Sequence, residues 1–206
     1  MIKLIESVPK DICIAVSGGV DSMAALDFLR RTRNVTVLHY NHGTGEYADN
    51  AMRLVKDYCE TCSIDYAIAE NTEVMPKGVS AEAWWREKRS SWFESVTDFP
   101  IVTAHHLDDA VENWIFTSLN GNPALIPSKR DQYIRPFLST SKEDLIDWCN
   151  RKKVPYLEDP SNESTKYRRN YIRHVMMPHV ENINPGIKKV IRKKLIEREN
   201  LSKFGL

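Results

Sequence analysis

The chain has 206 residues, is 42% hydrophobic and 28% charged, and carries a formal net charge of +1. That length accommodates one α/β domain with a small helical addition, and it contains neither an apolar run long enough to span a membrane nor a segment resembling a signal peptide. Its four cysteines, Cys13, Cys59, Cys62 and Cys149, are scattered, which fits reduced thiols and predicts a cytoplasmic protein.

In chain order, an apolar β-rich run over residues 12–16 leads into a Gly-rich turn and a helix-like stretch over 23–31. Further strand-like runs cover 35–40, 66–69, 101–104 and 133–135. Helical stretches lie between them at 49–61, 80–96 and 107–119, with Ser80 and Ser141 placed as helix N-caps. Cys59 and Cys62 form a CxxC on the helix read near 49–61, with no partner pair nearby, and read as structural or incidental. Residues 120–130, with Gly121, Pro123 and Pro127, read as a loop before the last strand. After Pro160 the pattern is helical, over 169–177 and 187–203. In the last helix Ile187, Val190, Ile191 and Leu195 form an apolar stripe, and Lys188, Lys189, Arg192 and Lys193 occupy other faces. This alternation predicts an α/β fold: a doubly wound parallel sheet of about five strands, with ligands at the strands' carboxyl ends. It divides the chain into residues 1–156 and a helical extension, 157–206. Charge divides there too. Residues 1–150 hold 15 Lys/Arg against 22 Asp/Glu, whereas residues 151–206 hold 14 against 6. A basic segment beside a ligand site points to a polyanion, RNA being the natural candidate.

Three constellations carry chemistry. In Ser17-Gly18-Gly19-Val20-Asp21-Ser22, a strand, a glycine turn and a helix start make an anion site. The glycines let backbone N–H groups approach phosphate oxygens, and the helix terminus adds partial positive charge. No Gly-Lys-Ser/Thr follows, so this is not a Walker A loop. The second run is His105-His106-Leu107-Asp108-Asp109 with Glu112. Asp109 and Glu112, three apart at a helix start, can face one site and hold Mg²⁺ or a cationic amine. The third is Leu157-Glu158-Asp159-Pro160-Ser161-Asn162, followed by Tyr167-Arg168-Arg169-Asn170-Tyr171-Ile172-Arg173.

The first run resembles the pyrophosphatase loop of the PP-loop, or N-type ATP pyrophosphatase, enzymes, which split ATP between its α- and β-phosphates. With the other two, and with His39-Tyr40-Asn41-His42 and Arg135-Pro136-Phe137-Leu138, the chain resembles the tRNA(Ile)-lysidine synthetase family. The ordered motifs run from Ile12 to about Pro185. The resemblance implies an ATP- and Mg²⁺-dependent ligase that adenylates the wobble cytidine of a CAU-anticodon isoleucine tRNA and couples free lysine to it. It implies that Ser17, Gly18, Gly19, Val20, Asp21, Ser22 and His42 bind the nucleotide, and that Asp21, Asp109, Glu112, Arg169 and Arg173 are catalytic. Asp21 and Asp109 would be metal ligands, and Arg86, His105, Asp109, Glu112 and Asn170 would contact substrate. Asp21 could instead be a positioning group, and the two late arginines could serve RNA backbone.

Four departures stand out. Gly43-Thr44-Gly45 replaces the family's Gly-Leu-Arg after the HxNH run. Ala110-Val111-Glu112-Asn113 replaces Q-x-E-T, and the loop over 120–130 is short. The family's further C-terminal domains are also missing, so a compact form is expected. Two other readings remain open: a PP-loop tRNA-modifying enzyme with a different nucleophile, and a tRNA-binding relative that has lost catalysis.

Overall fold

The computed structural model describes residues 1–160, 164–165 and 168–203; Ser161, Asn162 and Tyr167 of the third constellation lie outside them. The strand β1 (Asp11–Ala15) lies inside the sheet because Ile12, Cys13 and Ile14 are apolar on both faces and all three are buried. It pairs in parallel with β2 (Asn34–Asn41) through Ile12↔Val35 and Ile14↔Val37, and with β4 (Ile101–Val102) through Cys13↔Ile101. Outward from these run β3 (Asp65–Glu70), parallel to β2, and β6 (Tyr133–Ile134), parallel to β4; β5 (Lys129–Arg130) closes the edge antiparallel to β6. The order β3-β2-β1-β4-β6-β5 places β1 where the winding reverses. Loops leaving β1 and β4 therefore part in opposite directions and open a crevice at the carboxyl ends of the strands.

The expected α/β fold is present, with six strands. The extra one, β5, falls in the stretch read as a loop. Its two residues, Lys129 and Arg130, are exposed and have no apolar alternation to announce a strand. Asp131, at φ +53°, turns the chain back into β6.

The helices α1 (Val20–Leu29), α2 (Glu46–Cys62), α3 (Ala81–Val96) and α4 (Leu107–Leu119) follow the expected positions, α4 to the residue, and α5 (Lys142–Lys152) begins after the expected N-cap Ser141. Ser141 caps α5 by accepting from the Asp144 amide, whereas Ser80 precedes α3 with no side-chain cap bond. Helix α1 buries Met23, Ala24, Ala25, Leu26 and Leu29, because the sheet covers one side of it and α5 the other. Phe28 meets Phe137 and Trp148 edge-on, with ring centroids 6.1 Å and 5.1 Å away.

The helical stretch expected over 169–177 is broken into α6 (Arg168–Tyr171), a π-helical turn (Ile172–Met176) and α7 (Met177–Ile183). Pro178 sits in the first turn of α7, where its missing N–H costs nothing, and the Met177 amide bonds Ile172 O across the wide turn. Helix α8 (Ile187–Lys203) packs Ile191 and Leu195 against Leu107, Ala110 and Val111 of α4, together with Ile172 and Met177. Val190 of the expected stripe is 41% exposed, since a single helix contact buries only a narrow seam of α8.

Candidate active site

The loop after β1 is held open from behind. Gly18 has φ +88°, and a Cβ there would sit 3.1 Å from the Ala51 side chain, so only glycine fits. The Leu157 amide bonds Gly18 O at 2.9 Å, tying the segment after α5 to the loop. Ser22 Oγ donates to Gly19 O at 3.0 Å and accepts from the Ser17 amide at 3.1 Å, fixing the turn. Gly19 is the N-cap of α1 and supplies no side-chain cap, which leaves first-turn amides for an external anion.

Facing this loop, α4 begins at His106, a 2% exposed N-cap whose amide donates to Asp109 Oδ2 at 3.0 Å. The His106 Nε2 lies 3.5 Å from both Asp21 Oδ1 and Asp109 Oδ2, and Nδ1 lies 3.7 Å from Asp108 Oδ2. Burial would lower the pKa of this ring, but Asp109, Asp21 and Asp108 outweigh burial and raise it. Its neighbour His105 goes the other way: burial, Arg135 and Arg169 push it down to about 4 despite Asp109.

Burial would raise the Asp21 pKa, but His106 foremost, then Lys142 and Arg173, hold it below the ordinary value. Its Oδ1 is nevertheless buried with no hydrogen-bond partner among the described residues, the His106 approach lacking hydrogen-bond geometry. Behind Asp109, Arg173 grips Glu112 through two bonds, Nε–Oε1 at 2.7 Å and Nη2–Oε2 at 3.0 Å, and stands 3.6 Å from Asp109 Oδ1. Burial raises the Glu112 pKa, with Arg173 opposing it. Asp108 is structural: it accepts from the Lys142 amide at 2.9 Å and pairs with Lys188 at 2.7 Å, joining α4 to α5 and α8.

A cleft of about 360 Å³ opens between loop and helix, and Ser17, Gly19, Asp21, Ser22, His42, His105, Asp109 and Arg169 all line it. The remaining sequence candidates lie elsewhere. Gly18 faces Ala51, Val20 packs on the core, and Glu112 and Arg173 sit behind Asp109. Asn170 donates to Ser164 O, and Arg86 is 57% exposed, 3.6 Å from Glu82. Sequence reading missed His39 and Tyr133, which also line the cleft, and it ranked Arg86 above Arg89, which lines it too. The two-residue period of β2 and the step of three from Arg86 were the signals for His39 and Arg89. Tyr40 and Trp85 flank the His42 ring at 5.3 Å and 5.7 Å, and burial, Arg89 and His39 lower its pKa to about 4. The CxxC lies near the opposite, amino-terminal edge of the sheet, where burial pushes the Cys59 thiol up to about 12.

A glycine loop with uncapped first-turn amides confronting a cluster of carboxylates and imidazoles has the groups that cleavage of a nucleoside triphosphate requires. The family model for the PP-loop domain matches residues 2–180. The chain belongs to the PP-loop family. It is 32% identical over 202 residues to a tRNA(Ile)-lysidine synthase of Francisella philomiragia, an alignment covering 92% of this chain and 50% of that protein. It is 33% identical to the tRNA(Ile)-lysidine synthase of Staphylococcus aureus strain COL, over 84% of this chain and 44% of that protein. A bifunctional TilS/HprT protein of Listeria monocytogenes is 34% identical over 85% of this chain and 30% of its own length. This PP-loop chain thus spans about half the length, or less, of the curated relatives it matches. Among solved structures, the U34-tRNA thiolase NcsA of Methanococcus maripaludis, solved with its 4Fe–4S cluster, superposes with a TM-score of 0.73. That match has 17% identity and covers 94% of this chain and 74% of the thiolase; it shows the shared PP-loop fold. Among the described residues, no helix is long and apolar enough to cross a membrane.

Proposed function

We propose that this chain adenylates a cytidine in the anticodon of a CAU-anticodon isoleucine tRNA and couples lysine to it, forming lysidine. The observation that carries the reading is the buried Asp21 Oδ1, which has no hydrogen bond among the described residues and lies 3.5 Å from His106 Nε2, between the glycine loop and the His106–Asp109 pair. The relatives' names point to the reaction, and the excess of basic residues after residue 150 suits an RNA partner.

In the first step the ring carbonyl oxygen of cytidine attacks the α-phosphorus of ATP and pyrophosphate leaves. In the second, the ε-amine of lysine attacks the activated carbon and AMP leaves. The loop amides, with Ser17 and Ser22, hold phosphate oxygens, and Arg169 offsets charge developing there. Asp109, open to the cleft, orients the lysine ammonium and takes the proton it must lose before attack. Glu112 and Arg173 are positioning residues: their paired bonds keep the Arg173 guanidinium, and through it Asp109, in place. Mg²⁺ bound with ATP would neutralise the triphosphate and its leaving pyrophosphate. Among the described residues no cluster of three His, Cys, Asp or Glu forms a protein-only cage. An ion taking one or two carboxylates plus phosphates would be held by Asp21 and Asp109.

Pyrophosphate release from Mg-ATP is the test, with and without a CAU-anticodon transcript. Release that requires the transcript, and lysine transfer lost in Asp109→Asn, is the expected pattern. Near-normal lysine transfer by Asp109→Asn would remove Asp109 from its role.

A further inference from the structure

His39 lies on β2, is 3% exposed, and lines the cleft beside Ala15, Tyr40 and Phe93. Its Nδ1 is 2.8 Å from Val16 O. A carbonyl oxygen can only accept, so Nδ1 carries the proton; in a neutral ring the remaining nitrogen, Nε2, is then an acceptor. Burial lowers the pKa of His39, against a smaller opposing effect of the Val16 bond, so the ring is neutral at physiological pH. Its Nε2 is buried and has no hydrogen-bond partner among the described residues. A buried acceptor left unmade is costly, and such groups in folded proteins ordinarily find a donor. Val16 leads directly into Ser17, so this acceptor stands beside the phosphate cradle with an apolar wall around it.

We propose that His39 Nε2 accepts a hydrogen bond from the nucleoside part of ATP and so selects the nucleotide that enters the cleft. The donor is a ribose hydroxyl or the exocyclic amine of adenine. This rests on the ATP reading above and extends it to a residue outside the phosphate loop. Selection follows from asymmetry: a nucleotide lacking the donor leaves the buried nitrogen orphaned, and such sites discriminate strongly against the deficient analogue.

Equilibrium binding to the full chain, with Mg²⁺, decides it. Four nucleotides are compared: ATP, 2′-deoxyATP, 3′-deoxyATP and the triphosphate of purine riboside, which lacks the exocyclic amine. One analogue is expected to bind about 10-fold more weakly than ATP or worse, and its identity names the donor. In His39→Asn, whose amide can still donate to Val16 O but has no atom at the Nε2 position, that ratio is expected to fall to about 1. In His39→Gln, which restores an acceptor there, it is expected to persist. If the wild-type chain binds all three analogues as tightly as ATP, or His39→Asn keeps the full ratio, the proposal is overturned. The wild-type comparison needs no variant to fold. Failure to bind ATP at all would overturn the ATP reading and this one with it, whereas tight ATP binding with a flat panel overturns only the role of His39.

Discussion

Helix α1 carries two carboxylates, one near each end, in opposite conditions. Asp27, 1% exposed, is saturated: Tyr58 donates to it at 2.8 Å, Trp148 Nε1 at 2.9 Å, Arg30 Nε at 2.9 Å, and Arg31 through a fork at 2.9 Å and 3.1 Å. Those donors come from α2, α5 and the residues just past α1, so Asp27 ties three helices together at the end of α1 where the helix dipole disfavours an anion. Asp21, at the end where the dipole favours an anion, has a buried oxygen with no hydrogen-bond partner among the described residues. A satisfied buried charge holds a fold together; an unsatisfied one, held ionised in a cleft, is free to act on a ligand. On the proposed function, the difference makes Asp27 the stabilising carboxylate and Asp21 the one that acts on the ligand.

The sharpest way to break the comparison is Asp21→Asn. Activity is expected to fall by about 10²–10³-fold while the melting temperature stays close to wild type. A large drop in melting temperature would mean that Asp21 is structural after all. Asp27→Asn should show the converse, a loss of about 3 kcal/mol in denaturant unfolding, with the folded fraction still active. Burial would raise the pKa of Asp27, but Tyr58, Arg31, Trp148 and Arg30 hold it below the ordinary value. Its stabilisation is therefore fully present above the unfolded carboxylate pKa of about 3.9 and lost as pH falls through the lower folded value. Wild-type stability should have an acid limb in that window, and Asp27→Asn should flatten it.

The Glu112–Arg173 pair sharpens the contrast, being satisfied yet next to the cleft. A double-mutant cycle with Glu112→Gln and Arg173→Met should give a coupling of about 1–3 kcal/mol in unfolding. Each single variant should lower lysine transfer by about 10-fold, through displaced Asp109. The smallest effect concerns α3. Arg89→Ala should weaken nucleotide or RNA binding by several-fold, whereas Arg86→Ala, exposed and outside the cleft, should change it by less than about 2-fold.

Much of this arrangement was legible in local sequence. The strand–glycine–helix run placed the loop between β1 and α1, and apolar β-rich runs and helical patterning located the main strands and helices to within a few positions. Other features depend on partners far along the chain. The Glu112–Arg173 fork joins residues of α4 and the π-helical turn, and no period encodes it. The edge strand β5 has no buried face, so no alternation marks it. Arg86 and Arg89 read alike in sequence; only the packing of α3 on the sheet sends one into the cleft and leaves the other in solvent. The orphaned Nε2 of His39 follows from a backbone carbonyl just past the end of β1, which a side-chain motif does not name.

The most direct test of the division between Asp21 and Asp27 is mass spectrometry of a CAU-anticodon isoleucine tRNA transcript incubated with the chain, Mg-ATP and lysine. The expected result is a gain of one lysine less one water at the wobble cytidine, absent with Asp21→Ala and present with the folded fraction of Asp27→Asn. An unmodified transcript, or modification that survives Asp21→Ala, would contradict it.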